Sequence, residues 1–201
     1  MVVSEKPVIL GIVADTHVPD RVNALHPELL LELRAVRVEQ ILHAGDVCLA
    51  QVLKELEKVA PLVVVGGNRD FLFWPPLATV LHLDFFGIEL ALMHGHGGYW
   101  SYVAEKIRYI LVGYSFDRLR EILPPYAPQA KVIVYGHTHL AENVWVDGRL
   151  FFNPGSASSG MRKKKMGPSF GVMRIFPSGK VDARILPLRG WKIENKRWVR
   201  E

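Results

Sequence analysis

The chain has 201 residues, of which 49% are hydrophobic and 22% charged, and a formal net charge of +5. That balance excludes a disordered polymer, and the length suits one domain, since domains run roughly 50–250 residues. No apolar run approaches the ~20 residues of a bilayer-spanning helix, so no membrane partner is expected.

The single cysteine, Cys48, forms no internal disulfide, and residues 1–7 lack the basic start and apolar core of a secretory signal. The expected location is therefore the reducing cytoplasm. The charge excess, 25 basic against 20 acidic residues, is weak support for nucleic-acid binding. Part of it lies in residues 187–201, a basic tail with five basic and two acidic residues. Its Trp191 and Trp198 are expected to pack back onto the domain or onto a second subunit, which leaves a homo-oligomer open.

In chain order, residues 8–14 are a β-branched apolar run too short for a helix and predict a buried strand. Residues 26–36 predict a helix, with Pro27 in its first turn and Leu29, Leu30 and Leu33 at helical spacing. Residues 39–43 predict a strand and 50–59 a helix striped by Val52, Leu53, Leu56 and Val59; 62–65 predict a third strand. This β-α-β-α-β alternation implies parallel pairing through right-handed crossovers.

The second half reads differently. Residues 79–85 and 88–93 predict a hairpin around Phe86-Gly87, 102–112 a helix, and 132–135 a strand. Further hairpins are predicted for 143–146 with 150–152 around Asp147-Gly148, and for 170–176 with 180–186 around Pro177-Ser178-Gly179. The expectation is one α/β domain over 1–201: two mixed β-sheets packed face to face, with helices outside.

The residues able to hold metals fall at the ends of these strands, where a sheet presents its loops to a ligand. They are Asp15-Thr16-His17, Gly45-Asp46, Gly67-Asn68-Arg69-Asp70, His94-Gly95-His96 and Gly136-His137-Thr138-His139. Asp15 and His17 are two apart, so an extended segment would point both to one side. Single blocks of this kind arise by chance, but five strand-end blocks do not.

These blocks, in this order, resemble the signature of the calcineurin-like metallophosphoesterases, in particular the small cap-less bacterial and archaeal members. Asn153-Pro154-Gly155-Ser156 matches a loop that often follows in those members. The resemblance implies a four-layer αββα sandwich and a two-metal centre. It assigns Asp15, His17 and His139 to a first metal and Asn68, His94 and His137 to a second, with Asp46 bridging. Mixed nitrogen and oxygen donors suit transition metals, Mn²⁺ first, then Ni²⁺, Co²⁺, Fe and Zn²⁺, better than Ca²⁺. The implied reaction is hydrolysis of a small phosphate ester, foremost a phosphodiester, by in-line attack of a metal-bridging hydroxide.

Arg69 stands where larger relatives carry a histidine. A guanidinium is a poor general acid but binds phosphate oxygens well. His96 is expected near the phosphate, as a substrate or proton-transfer group. His26 and His82 are read as ordinary polar residues; for His43, a role behind a metal ligand and plain packing both stay open. Asp70 is expected to hold its loop, and the cationic run 162–165 is read as a solvated loop. Two other functions compete: a non-catalytic scaffold on the same fold, in which the ligands should be eroded, and a nuclease subunit.

Overall fold

In the computed structural model of the protein, which describes residues 5–73, 75–96, 113, 115–160 and 166–201, β1 (Val8–Val13) is the middle strand of the first sheet. The helix predicted over 102–112, Trp74 and the basic run 162–165 lie outside the described residues. From β1 the chain passes through α1 (Leu29–Ala35) to β2 (Gln40–His43) and through α2 (Ala50–Glu57) to β3 (Leu62–Val64). β1, β2 and β3 pair in parallel, as consecutive β-α-β units do. β9 (Ser169–Ile175) and β10 (Val181–Pro187) complete the sheet on the other side of β1, both antiparallel to their neighbours.

The second sheet also has five strands. β4 (Val80–Phe85) pairs antiparallel with β5 (Ile88–Met93), and β5 pairs in parallel with β6 (Val132–Val134). β8 (Arg149–Pro154) lies parallel to β6 and carries β7 (Ala141–Val146) antiparallel at the edge. Both sheets are mixed, and strand alternation lets each bury two faces.

Between the sheets, Leu10, Ile12, Leu42 and Met173 from the first pack with Leu90, Leu92, Val134 and Phe152 from the second. Gly171 on β9 makes room for the Phe152 ring, since a Cβ there would sit 2.5 Å from it. Outside the first sheet, Leu29 and Leu33 of α1 and Val52 and Leu56 of α2 cover Ile41, Phe170 and Val172. Outside the second, Leu119 of α3 (Phe116–Ile122) and Leu123 cover Ile133, Tyr135 and Phe151. The order of layers is therefore helix, sheet, sheet, helix.

Three differences from the sequence expectations have local causes. α1 starts three residues late because His26 occupies its entry: the Nδ1 atom accepts the Glu28 N–H at 3.2 Å, and the carbonyl accepts the Leu29 N–H at 3.0 Å. α3 was not anticipated, although Ser115 marks its start and accepts the Arg118 N–H at 3.4 Å. The basic tail forms a hairpin, β11 (Trp191–Glu194) and β12 (Arg197–Arg200), turned by Asn195 and Lys196 at φ 48° and 61°. Trp198 donates to the Ala24 carbonyl at 2.9 Å and Trp191 to Glu28 at 3.1 Å, so the hairpin lies along the segment that follows β1.

Candidate metal centre

The C-terminal ends of β1, β2 and β3 in one sheet meet those of β5 and β6 in the other, and the polar blocks converge there. The backbone does this in an unusual conformation. Asp15, His17, Asp46, His137 and His139 all have positive φ, between 49° and 69°. Asp15 and His17 thus do not share a side through an extended segment, as their spacing predicts. The chain curls instead, and the Asp15 and His17 N–H groups donate to Gly45 and Asp46 carbonyls at 3.0 Å each.

One set of donors is Asp15, His17 and His139. His139 Nε2 lies 3.1 Å from His17 Nε2 and 3.3 Å from Asp15 Oδ1. The other set gathers on Asn68, whose Oδ1 lies 3.2 Å from His94 Nε2 and 3.1 Å from His137 Nδ1. Asp46 joins the two, with Oδ1 3.4 Å from His94 Nε2 and Oδ2 3.6 Å from His17 Nε2. The structure thus brings all seven expected ligands together, one Asp46 oxygen toward each set.

The imidazoles are oriented from behind. His94 donates from Nδ1 to the Ala44 carbonyl at 2.7 Å and His139 from Nδ1 to the Ser159 carbonyl at 2.7 Å. Each bond leaves the Nε2 lone pair facing the centre. His17 Nδ1 faces Asp20 Oδ2 at 3.5 Å, a partner that the His17-x-x-Asp20 spacing could have flagged.

The loops are tied by side chains from outside the donor set. Asp70 accepts N–H groups from Asp46 at 2.9 Å, Cys48 at 2.7 Å and Gly67 at 2.8 Å, so it is a loop anchor. Gly67 must be glycine, because a Cβ there would overlap Asp46. His43 accepts the Gly45 N–H at Nδ1 (3.2 Å) and approaches Thr16 Oγ1 at 3.3 Å, which ties the β1 and β2 loops together. Asn153 donates to the Gly136 carbonyl at 2.9 Å, and both Ser156 and Ser158 donate to the Asp15 carbonyl at 2.9 Å. The motif quoted from the sequence ends at Ser156, and nothing in it singles out Ser158 or Ser159.

Asp15 Oδ1 supplies the test of whether a cation fits. It is buried and has no hydrogen-bond partner, yet two imidazole nitrogens surround it. A bare carboxylate oxygen in that position is costly unless a cation satisfies it. The charges agree. Burial raises the Asp46 carboxyl, but His94 outweighs it and holds Asp46 well below the usual carboxylate range. Burial disfavours charge on His94, but Asp46 and Asp15 overcome that and raise it to about 9, so the two carboxylates hold a proton on Nε2 where a cation would otherwise sit. A divalent ion there would take over that positive charge and free Nε2 as a ligand. Burial lowers His17 to about 4 and His137 to about 3, so both are neutral and competent as ligands at pH 7.

His96 packs beside the second set, its ring centroid 5.3 Å from His94 and 6.2 Å from His137. Its Nδ1 is buried without a partner, and burial lowers its pKa to about 4. Arg69 is exposed; its Nη1 reaches across to Asp20 Oδ2 at 3.7 Å, while its backbone N–H donates to Asp46 Oδ1 at 2.8 Å.

The profile of the calcineurin-like phosphoesterase superfamily domain matches residues 8–175. A probable metallophosphoesterase of Methanothermobacter thermautotrophicus is 31% identical over 181 residues, 89% of this chain and 91% of that one. Among solved structures, Vps29 of Entamoeba histolytica complexed with Zn²⁺ superposes with a TM-score of 0.61 at 22% identity, over 90% of this chain and 99% of that one. A novel archaeal phosphodiesterase superposes with a TM-score of 0.58 at 20% identity, over 89% and 99%.

Proposed function

Since the chain belongs to the calcineurin-like phosphoesterase superfamily, we propose that it is a metal-dependent phosphodiesterase with a dinuclear centre. The observation that carries this reading is Asp46, whose two oxygens face two different sets of donors. Asp15, His17 and His139 would hold one divalent ion and Asn68, His94 and His137 the other. Two such ions would lower the pKa of a water held between them and draw in the phosphate oxygens.

The chain's own residues then set the specificity. Arg69, exposed at the rim beside Asn68, offers a guanidinium to non-bridging phosphate oxygens but no proton at any ordinary pH. His96 is neutral at pH 7, so it offers a hydrogen bond rather than a proton. With no strong acid for the leaving oxygen, the site suits esters whose leaving groups need little protonation. Diesters also carry one negative charge fewer than monoester dianions.

The expected outcome with Mn²⁺ is that aryl phosphodiesters are hydrolysed faster than alkyl phosphomonoesters. His96→Ala should lower the rate by a similar factor across a leaving-group series. A preference for alkyl monoesters would defeat the diesterase reading; losses concentrated on poor leaving groups would make His96 an acid instead. The likeness to Vps29 in fold keeps a protein-binding scaffold as the competing reading. It is the weaker one, because all seven donors remain in place.

A further inference from the structure

The loop that presents His17 continues through Asp20 to Arg21, a residue no motif singles out. The Arg21 N–H donates to the His17 carbonyl at 2.8 Å. Its guanidinium Nη1 lies 3.2 Å from Ser159 Oγ and 3.3 Å from His139 Nδ1. Among the described residues no carboxylate is paired with it. It sits behind the His139 ring, on the side away from Asp15, so it does not face the space between the donors.

These contacts close a circuit that does not pass through the donor atoms. It runs from the His17 carbonyl to the Arg21 N–H, from the Arg21 guanidinium to Ser159 Oγ, and from the Ser159 carbonyl to His139 Nδ1. The other donor set is held differently: His94 rests on the Ala44 carbonyl, and the His137 N–H donates to Asp15 Oδ2 at 3.0 Å. We propose that Arg21 is a positioning residue for the Asp15–His17–His139 half of the centre, which acts by fixing Ser159 and, through it, the His139 ring. This inference rests on the metal-binding reading above.

A titration of the metal-free protein with Mn²⁺, reading free Mn²⁺ by electron paramagnetic resonance, tests it without any substrate. Wild type should bind two ions. Arg21→Ala should weaken one of them by about 10- to 100-fold, the usual cost of losing a group that orients a ligand, and leave the other unchanged. Ser159→Ala keeps the carbonyl that His139 uses but removes the Arg21 acceptor, so it should weaken the same ion. The double variant should lose no more than either single one, because both remove one link. Arg21→Lys should recover part of the loss. Two ions bound as tightly in Arg21→Ala as in wild type, equal weakening of both, or additive losses would overturn the inference and leave the proposed function standing. A wild type that binds no Mn²⁺ would overturn both.

Discussion

Five of the seven donors sit on a backbone that side-chain-bearing residues avoid, and such conformations cost about 1–3 kcal/mol each. Ties around the centre hold them there: Asp70 on the Asp46 loop, Ser156 and Ser158 on the Asp15 carbonyl, and Asn153 on the loop before His137. The Asp46 carboxylate, proposed above as the bridge, is where this arrangement is most exposed to a single change. Asp46→Asn keeps shape but removes the charge that faces both sets, so metal analysis should find both ions held at least about 10-fold more weakly. Two ions retained at wild-type affinity would remove Asp46 from its bridging role. Away from the centre, His26 gives a pH dependence with a definite sign. Burial lowers its pKa from 6.5 to about 4 in the folded protein. Between those values the unfolded chain binds a proton that the folded chain refuses. The stability contributed here is complete above pH 6.5, falls as pH drops toward 4, and is level below. The urea midpoint should fall less between pH 7 and pH 5 in His26→Asn than in wild type, and an equal fall would contradict it.

The elements are held by the layer between the two sheets, and Phe152 is its largest fully buried ring. It reaches across from β8 to the space left by Gly171 on β9, so its loss cannot be filled from either sheet alone. Phe152→Ala should cost about 3–5 kcal/mol in chemical denaturation, whereas a loss below about 1 kcal/mol would mean that the layer closes over the gap. Strands and hairpins were legible because their signals are local: β-branched runs for β1 to β3, and Asp147-Gly148 at φ 50° and 77° for the β7–β8 turn. α3 and the β11–β12 hairpin were not. In α3 only Leu119 is buried, so its apolar stripe is thin. In the tail, five cations masked the alternation of half-buried Trp191 and Ile193, and with it the packing of Ile193 and Trp198 on the core.

At the scale of the molecule, two sheets aim five strand ends at one point, and that is why the convergence of the five polar blocks could be read from the sequence. Each block follows an apolar run, so each had to lie at a sheet edge, and the order of blocks carried the resemblance. What could not be read is how the donors are held. Arg21, Ser158 and Ser159 belong to no metal-binding pattern, and their partners lie as far as 143 residues away in the chain. A dinuclear mechanism stands most directly on the number of ions that hydrolysis requires. The measurement is the rate on an aryl phosphodiester as Mn²⁺ is added in equivalents to the metal-free protein. A dinuclear centre gives little activity at one ion per chain and a steep rise as the second binds. Full activity at one equivalent, or none at saturation, would contradict it.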